Sequence, residues 1–452
     1  MSGTAAAREA PPRRRRSARR SAGDLGAGIA AVLTSVAIGV AVQISLPAAI
    51  ALVVLIVAAT AVAREGWMGI PLVLVVALPW TVVFGTVEPK LAETFTAGAA
   101  VVALLVVTKP RLDRSAASRR LRWGMVLFYV PVLIGVARAP GGAQLIEAAK
   151  YFVFPFTVLA VTAATDRPAA ARLGRAALIS GVIAVATNLL LGAAGLNHSY
   201  YRAGDIQGLG GQHDLALLAG AVTAAALSMR PTVTWLGTSA IGTIATVATG
   251  VRSTLPGLFL AVLVRMFRQG VRLRNILLVC LLVAAVAASG VADVFAARFA
   301  YQQRTGQFSS FASLGSGRGG IWTTAVHGWW TASPADWVIG TGLRSVNSIE
   351  RRATGNTVVG QSDVIQAGVE LGLLGLAGLI LIWWTLIARA RSKLPLLVLL
   401  PFSLFNGALE YGAPLVVTLL LTLTAEPARP SSAAETRPLP ASAARDPESV
   451  TA

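Results

Sequence analysis

From residue 25 onward the chain is a succession of apolar runs separated by short polar breaks. A membrane-spanning helix needs about 20 mostly apolar residues. The pattern predicts such helices near 25–43, 46–63, 67–86, 91–108, 123–138, 151–165, 176–194, 213–229, 232–249, 253–268, 275–292, 363–388, 394–409 and 413–425. The last two are short and also fit one re-entrant pair. The expected fold is therefore all-α: one polytopic membrane helix bundle of about 12–14 spans. Residues 293–362 form the single long stretch without a spanning segment, and long loops in compact chains are usually functional. A second loop of interest covers 195–212, "GLNHSYYRAGDIQGLGGQ".

Composition supports one membrane domain over several soluble ones. Of 452 residues, 55% are hydrophobic and only 13% charged, with mean hydropathy +0.68. A soluble domain of this size keeps more charge on its surface. The net charge of +19 would suggest nucleic acid in a soluble protein, but here the basic residues sit in short loops between apolar runs. Residues 1–24 read as a disordered basic tail, 25–425 as the transmembrane domain, and 426–452 as a second disordered tail rich in Pro, Ala and Ser. With the N-terminus in the cytoplasm, the basic loops at 109–122, 166–175, 265–274 and 389–393 fall inside, as basic loops should. Both termini are then cytoplasmic, and 293–362 lies outside. The single cysteine, Cys280, and three histidines exclude an internal disulfide and a histidine-rich metal site.

Four arginines on the expected outer side draw attention. Arg202 lies in the 195–212 loop, Arg252 at a helix junction in "ATGVRSTLPG", Arg318 in "GSGRGGIW" and Arg344 in "GTGLR". Arginine binds phosphate oxygens through a planar fork and keeps its charge. Converging arginines at the outer membrane surface suit a lipid-anchored pyrophosphate, whereas each alone reads equally as an interfacial loop residue. In "GGIWTTAVHGWWTASP" (319–334), Trp322, Val326, Trp329 and Trp330 share one helical face. Such a helix lies on the outer leaflet or packs over the bundle. His327 falls beside that stripe, either as a solvated histidine or as a catalytic one. The glycines of "IGTGLRS" (339–345) fit a tight turn.

The stretch "GQSDVIQAGVELGLLG" (360–375) opens an apolar run with polar residues. Asp363, Gln366 and Glu370 are spaced i, i+3, i+7 and share one helical stripe. Polar groups in hydrocarbon are costly and usually face a bundle interior or a wet cavity. Asp363 reads as an N-cap, and Gln366 as a packing residue or part of the cavity wall. Glu370, deepest along the helix, is the residue expected to face a cavity.

The order of these motifs resembles the O-antigen ligase and O-antigen polymerase superfamily. Arg202 and Gly204 precede one helix; Arg252 and Ser253 open another. Gly317, Arg318 and Trp322 with Gly340 and Gly342 lie in the long loop, and Gln366, Glu370, Gly372 and Gly375 enter the next helix. The resemblance covers roughly residues 175–385. It implies a fold like that of C-type (GT-C) glycosyltransferases in the bacterial cytoplasmic membrane. It also implies a polyprenyl-pyrophosphate-linked glycan as donor, and a glycan, lipid or protein acceptor. Pyrophosphate would be held by Arg202, Arg252, Arg318 and Arg344. No cofactor or metal is implied, because the donor is already activated. In ligases of this kind a histidine nine residues before the glutamate activates the acceptor; here that position is Gln361, followed by Ser362. Glutamine has no usable basicity, so catalytic candidates are Glu370, His327 and Gln361 as a substrate-holding group, with Asp363 as a further substitute base. The competing reading is a membrane transporter of a small anion or a lipid-linked glycan; a structural scaffold would not need polar stripes inside its helices. Absence of an internal repeat and the asymmetric external loop favour the enzyme.

Overall fold

The computed structural model of the protein describes residues 69–84, 89–110, 115–139, 141–165, 168–194, 211–229, 233–269, 314–354 and 362–424, with isolated positions between 276 and 303. The chain divides into two compact units, 1–73 and 74–452. Only residues 69–73 of the first are described, and the packing below is that of the second. Among the described residues the regular structure is helical, without a strand. In chain order the helices are α1 (Gly69–Phe84), α2 (Pro89–Thr108), α3 (Ala116–Arg138), α4 (Gly142–Ala164), α5 (Pro168–Ala193), α6 (Gln212–Leu227), α7 (Val233–Ala248) and α8 (Thr254–Gln269). There follow α9 (Leu314–Trp330), α10 (Pro334–Ile339), α11 (Ser345–Thr354), α12 (Asp363–Arg389), α13 (Leu394–Phe405) and α14 (Gly412–Leu421). Four of them have segments long and apolar enough to cross a membrane: Ala116–Arg138, Gly142–Ala164, Ala170–Ala193 and Asp363–Arg389. The expected spans at 25–43 and 46–63 lie outside the described residues, as does nearly all of 275–292.

Two helices begin well before the apolar pattern places them. α3 starts at Ala116 instead of 123, capped by Ser115, whose hydroxyl accepts from the Ser118 N–H. α4 starts at Gly142 instead of 151 and opens with "GAQLIEAAKY". A hydropathy window rejects such charged turns, although Ala, Gln, Glu, Lys and Arg are strong helix formers. The second extension brings Glu147 and Lys150, expected in a loop, onto a helix.

α6 lies at the centre. From Asp214 to Leu227 every one of its residues is buried, as suits a helix that is apolar all round. Its alanines leave room for α5, α7, α8, α13 and α14 to pack around it. α3 and α12 cross at backbone distance: a Cβ on Gly378 would lie 2.6 Å from the Phe128 nitrogen and 2.7 Å from the Gly124 oxygen. Small residues permit this approach, which lipid alone would not drive.

α12 is broken. Gly372 sits at φ 68°, ψ −168° in mid-helix. The break diverts carbonyls of the preceding turn to the 340–342 segment: Thr341 N and Oγ1 each donate to Val369 O at 2.9 Å, and Gly342 N donates to Glu370 O at 3.2 Å. Glycine is needed on both sides. A Cβ on Gly340 (φ 82°) would meet Glu370 O at 2.1 Å, and one on Gly372 would meet Gly340 N at 2.4 Å. Arg138, at the end of α3, donates from Nη1 to Gly340 O and to Asp336 Oδ1, each at 3.1 Å, and so holds the segment from its other side.

α13 and α14 form a hairpin that returns to the end of the bundle from which it entered. Ser392 N, before α13, donates to Thr422 O, after α14, at 2.8 Å. With 12 and 10 residues, the two helices rise about 18 and 15 Å, short of a hydrocarbon core of about 30 Å. The re-entrant alternative therefore describes this pair. At its tip, Asn406 to Tyr411, a 3-10 turn (Ala408–Glu410) replaces a loop.

The aromatic helix differs from expectation in which face is covered. α9 runs from Leu314 to Trp330. Ala325 packs with Val346 of α11 and Val369 of α12, flanked by Trp329, Ile349 and Ile365. Trp322 lies against Phe405 of α13, ring centres 5.9 Å apart. Val326 and Trp330, expected on the same stripe, are 40% and 65% exposed. The covered face is set by where α11 and α12 sit, and these neighbours meet Ala325 instead of Val326.

The double-glycine contact makes a testable pair. Gly340→Ala is expected to cost about 3 kcal/mol by strain and collision, whereas Gly368→Ala, where a Cβ meets nothing within 4 Å, should be neutral or slightly stabilising. Thermal unfolding of the two purified variants checks this.

Candidate functional site

The first turns of α4 place Glu147, Lys150 and Tyr151 at i, i+3 and i+4, hence on one face. That face meets the stripe Asp363, Gln366, Glu370 of α12 and the hairpin tip carrying Glu410. Glu147, Tyr151, Asp363, Gln366, Glu370 and Glu410 are all buried, at 5% exposure or less. The Lys150 ammonium lies 3.2 Å from Glu147 Oε2 and 2.8 Å from Glu410 Oε2. Gln366 Nε2 donates to Glu147 Oε1 at 3.1 Å and to Glu410 Oε1 at 3.4 Å. One lysine and one amide thus hold two carboxylates between three elements.

Glu370 forms the adjoining part. It accepts from the Tyr151 hydroxyl at 2.8 Å and from the backbone N–H of Arg344. The Arg344 guanidinium also attracts the Glu147 carboxylate. Within this small volume three carboxylates, Glu147, Glu370 and Glu410, face one ammonium and one nearby guanidinium. Glu370 does not line an open cavity as expected: it is 1% exposed and fastens the 340–344 turn to α4 and α12.

Asp363 is not the N-cap of α12. That role belongs to Ser362, whose side chain accepts from Ile365 N. Asp363 instead turns inward and accepts from Ser403 Oγ at 2.5 Å, Ala408 N at 2.9 Å and Leu409 N at 3.0 Å. The 3-10 turn has amide protons with no helical acceptor, and a buried carboxylate supplies one.

The described arginines border this cluster. Arg344 joins it through its own backbone. Arg252, half-buried, follows Gly250, which sits at φ 64° after α7. The next residue, Ser253, accepts a hydrogen bond from the Asn406 side chain at the hairpin tip. Arg318, also half-buried, lies one turn before Trp322, the residue packed on Phe405. Arg252 and Arg318 are thus tied by neighbouring residues to the same hairpin. His327 is exposed on α9, and no described contact joins its ring to the carboxylates. Arg202 and Gln361 lie outside the described residues.

Sequence reasoning did not find Glu147, Lys150, Tyr151 and Glu410. Two signals were present. "EAAKY" before an apolar run repeats the polar opening of α12, and Glu410 is the single acidic residue between 371 and 425. Neither says which helix faces which.

Removing one partner of a buried ion pair leaves the other charge unmatched. Lys150→Met should therefore cost about 3 kcal/mol. Lys150→Met with Glu410→Gln should cost less than the sum of the two single changes, as read by a thermal-unfolding double-mutant cycle.

No family model matches the chain, and no curated protein matches it, so the functional reading rests on the geometry just described and on the motif order in the sequence.

Proposed function

We propose that the protein is a membrane glycosyltransferase of surface-polysaccharide assembly, with a fold of the C-type glycosyltransferase kind. It transfers or polymerises glycan from a polyprenyl-pyrophosphate-linked donor onto an acceptor hydroxyl at the outer face of a bacterial cytoplasmic membrane. The gathering of Arg252, Arg318 and Arg344 around the buried carboxylates at one end of the bundle carries this proposal. Arg202, outside the described residues, completes the set suggested by the motif order.

In this reaction the acceptor oxygen attacks the anomeric carbon of the donor. The bond from that carbon to the pyrophosphate oxygen breaks, and polyprenyl pyrophosphate departs with the bonding electrons. The arginine forks bind its oxygens, and the water-poor surroundings strengthen that attraction as charge develops. The acceptor proton passes to one of the two carboxylates flanking Lys150. His327, exposed on α9, and Glu370, enclosed, are less suited to take it. Exposed Val326, Trp330 and Val338 offer α9 and α10 an apolar surface towards lipid, where tryptophan is favoured and the polyprenyl chain would approach.

Transport is the second reading, favoured by the broken α12 and the short α13–α14 hairpin beside a polar cluster; broken helices are frequent at transporter binding sites. Proteoliposomes holding a lipid-linked donor and an acceptor separate the two. New glycosidic product supports transferase, whereas movement of intact donor without product supports transport.

Arg252→Ala and Arg318→Ala are expected to abolish glycan transfer while leaving membrane levels intact, and Arg→Lys should rescue poorly because the bidentate fork is lost. Full activity of both alanine variants in a cell-based polysaccharide assay would sink the arginine site. Reporter fusions after Ala300 and after Asn347 should report the outside, and one after Ala116 the inside; a cytoplasmic signal at 300 or 347 contradicts an external active site.

A further inference from the structure

Arg344 and Lys109 are the non-glycine residues at positive φ among the described residues, and Arg344 has φ 64°. An L residue with a long side chain adopts this conformation at a cost and keeps it only where the surroundings impose it. Here they do. Gly340 and Gly342, at φ 82° and 102°, bring the chain against the break in α12. The buried Leu343 side chain fills the space over Gly135 of α3, where an added Cβ would lie 2.9 Å from Leu343 Cγ. Ser345 N donates back to Gly342 O at 3.2 Å, and Thr341 Oγ1 to Ser345 Oγ at 2.6 Å. The Arg344 N–H ends on the Glu370 carboxylate, whose other described donor is Tyr151. The side chain itself remains exposed.

Glycine would hold this turn without strain. An arginine there projects a guanidinium from a backbone that a buried carboxylate fixes. Glu147, one turn before Tyr151 on α4, attracts that guanidinium and keeps it over the cluster until a stronger anion replaces it. We propose that Glu370 is a positioning residue, holding Arg344 in its left-handed conformation so that its guanidinium receives a pyrophosphate-type anion. This rests on the glycosyltransferase reading, whose donor supplies the anion. It changes the role of the buried glutamate from proton acceptor to backbone anchor.

The test uses the full-length protein in nanodiscs, titrated with inorganic pyrophosphate and assayed for transfer from a polyprenyl-pyrophosphate donor. Arg344→Ala and Glu370→Ala should each weaken pyrophosphate binding about tenfold, the scale of one charged hydrogen-bonding group. Each should raise KM for the donor more than it lowers kcat. The double variant should be no weaker than either single one, because the glutamate acts through the arginine. Arg344→Gly should unfold at a higher temperature than wild type, strain being relieved, yet bind pyrophosphate as weakly as Arg344→Ala. Glu370→Gln keeps an oxygen for the Arg344 N–H and should lose less than Glu370→Ala. Together with Arg344→Gly it decides the matter if Glu370→Ala fails to fold. Additive losses in the double variant, or wild-type affinity in Arg344→Ala or Arg344→Gly, overturn the proposal. If those variants bind normally while Arg252→Ala does not, this inference fails and the glycosyltransferase reading stands. A wild-type protein that neither binds pyrophosphate nor transfers glycan overturns both.

Discussion

A backbone carbonyl away from water must find a donor, and the break in α12 releases carbonyls in the middle of a bundle. The 340–342 segment answers this need with Thr341 N, Thr341 Oγ1 and Gly342 N. Two glycines make the approach close enough. Most of the local architecture depends on this exchange. It fixes the path of the chain from α10 into α11, seats Leu343 on α3 and brings the Arg344 N–H to Glu370. Arg138 reinforces the same segment from α3 through Gly340 O and Asp336.

The polar cluster follows the same logic with side chains. A carboxylate withdrawn from water is tolerated only when paired and hydrogen-bonded. Lys150 serves Glu147 and Glu410 together, Gln366 donates to both, and Tyr151 serves Glu370. These contacts join α4, α12 and the hairpin tip, which are far apart in sequence. Asp363 secures the tip through the two amides of its 3-10 turn. Such a network contributes specificity of arrangement more than net stability, since burying the charges is itself costly. The α13–α14 hairpin is held at both ends, by Asp363 at its tip and by the Ser392–Thr422 bond at its base.

This arrangement places fixed negative charge beneath arginines that stay at least partly accessible. An anionic ligand approaching Arg252, Arg318 and Arg344 meets guanidinium groups first, with the carboxylates screened behind Lys150. The proposed donor pyrophosphate and acceptor hydroxyl need this order, one side offering cations and the other a proton acceptor. The exposed Trp330, stacked on Trp337 at 5.2 Å, stands on the adjoining helices and suits an apolar chain arriving from lipid.

By itself the sequence determined the helices, because apolar runs and their polar breaks record what each residue gains by leaving water. α12 and α13 lie close to the predicted ranges, and the stripe Asp363, Gln366, Glu370 is buried on one face as its spacing implies. It also marked Gly340, Gly342 and Gly372, since positive φ favours a residue without Cβ. Where charged turns continue a helix, as at Glu147 and Lys150, hydropathy ended the element too early and hid half of the cluster. The partners of the stripe were decided only by the tertiary structure. Which carboxylate meets Lys150, why Asp363 binds Ala408 and Leu409 instead of capping its own helix, and why Ala325 is covered while Val326 is exposed all depend on contacts between segments distant in the chain. Periodicity reports which side of a helix is buried; it carries no information about which neighbour does the burying.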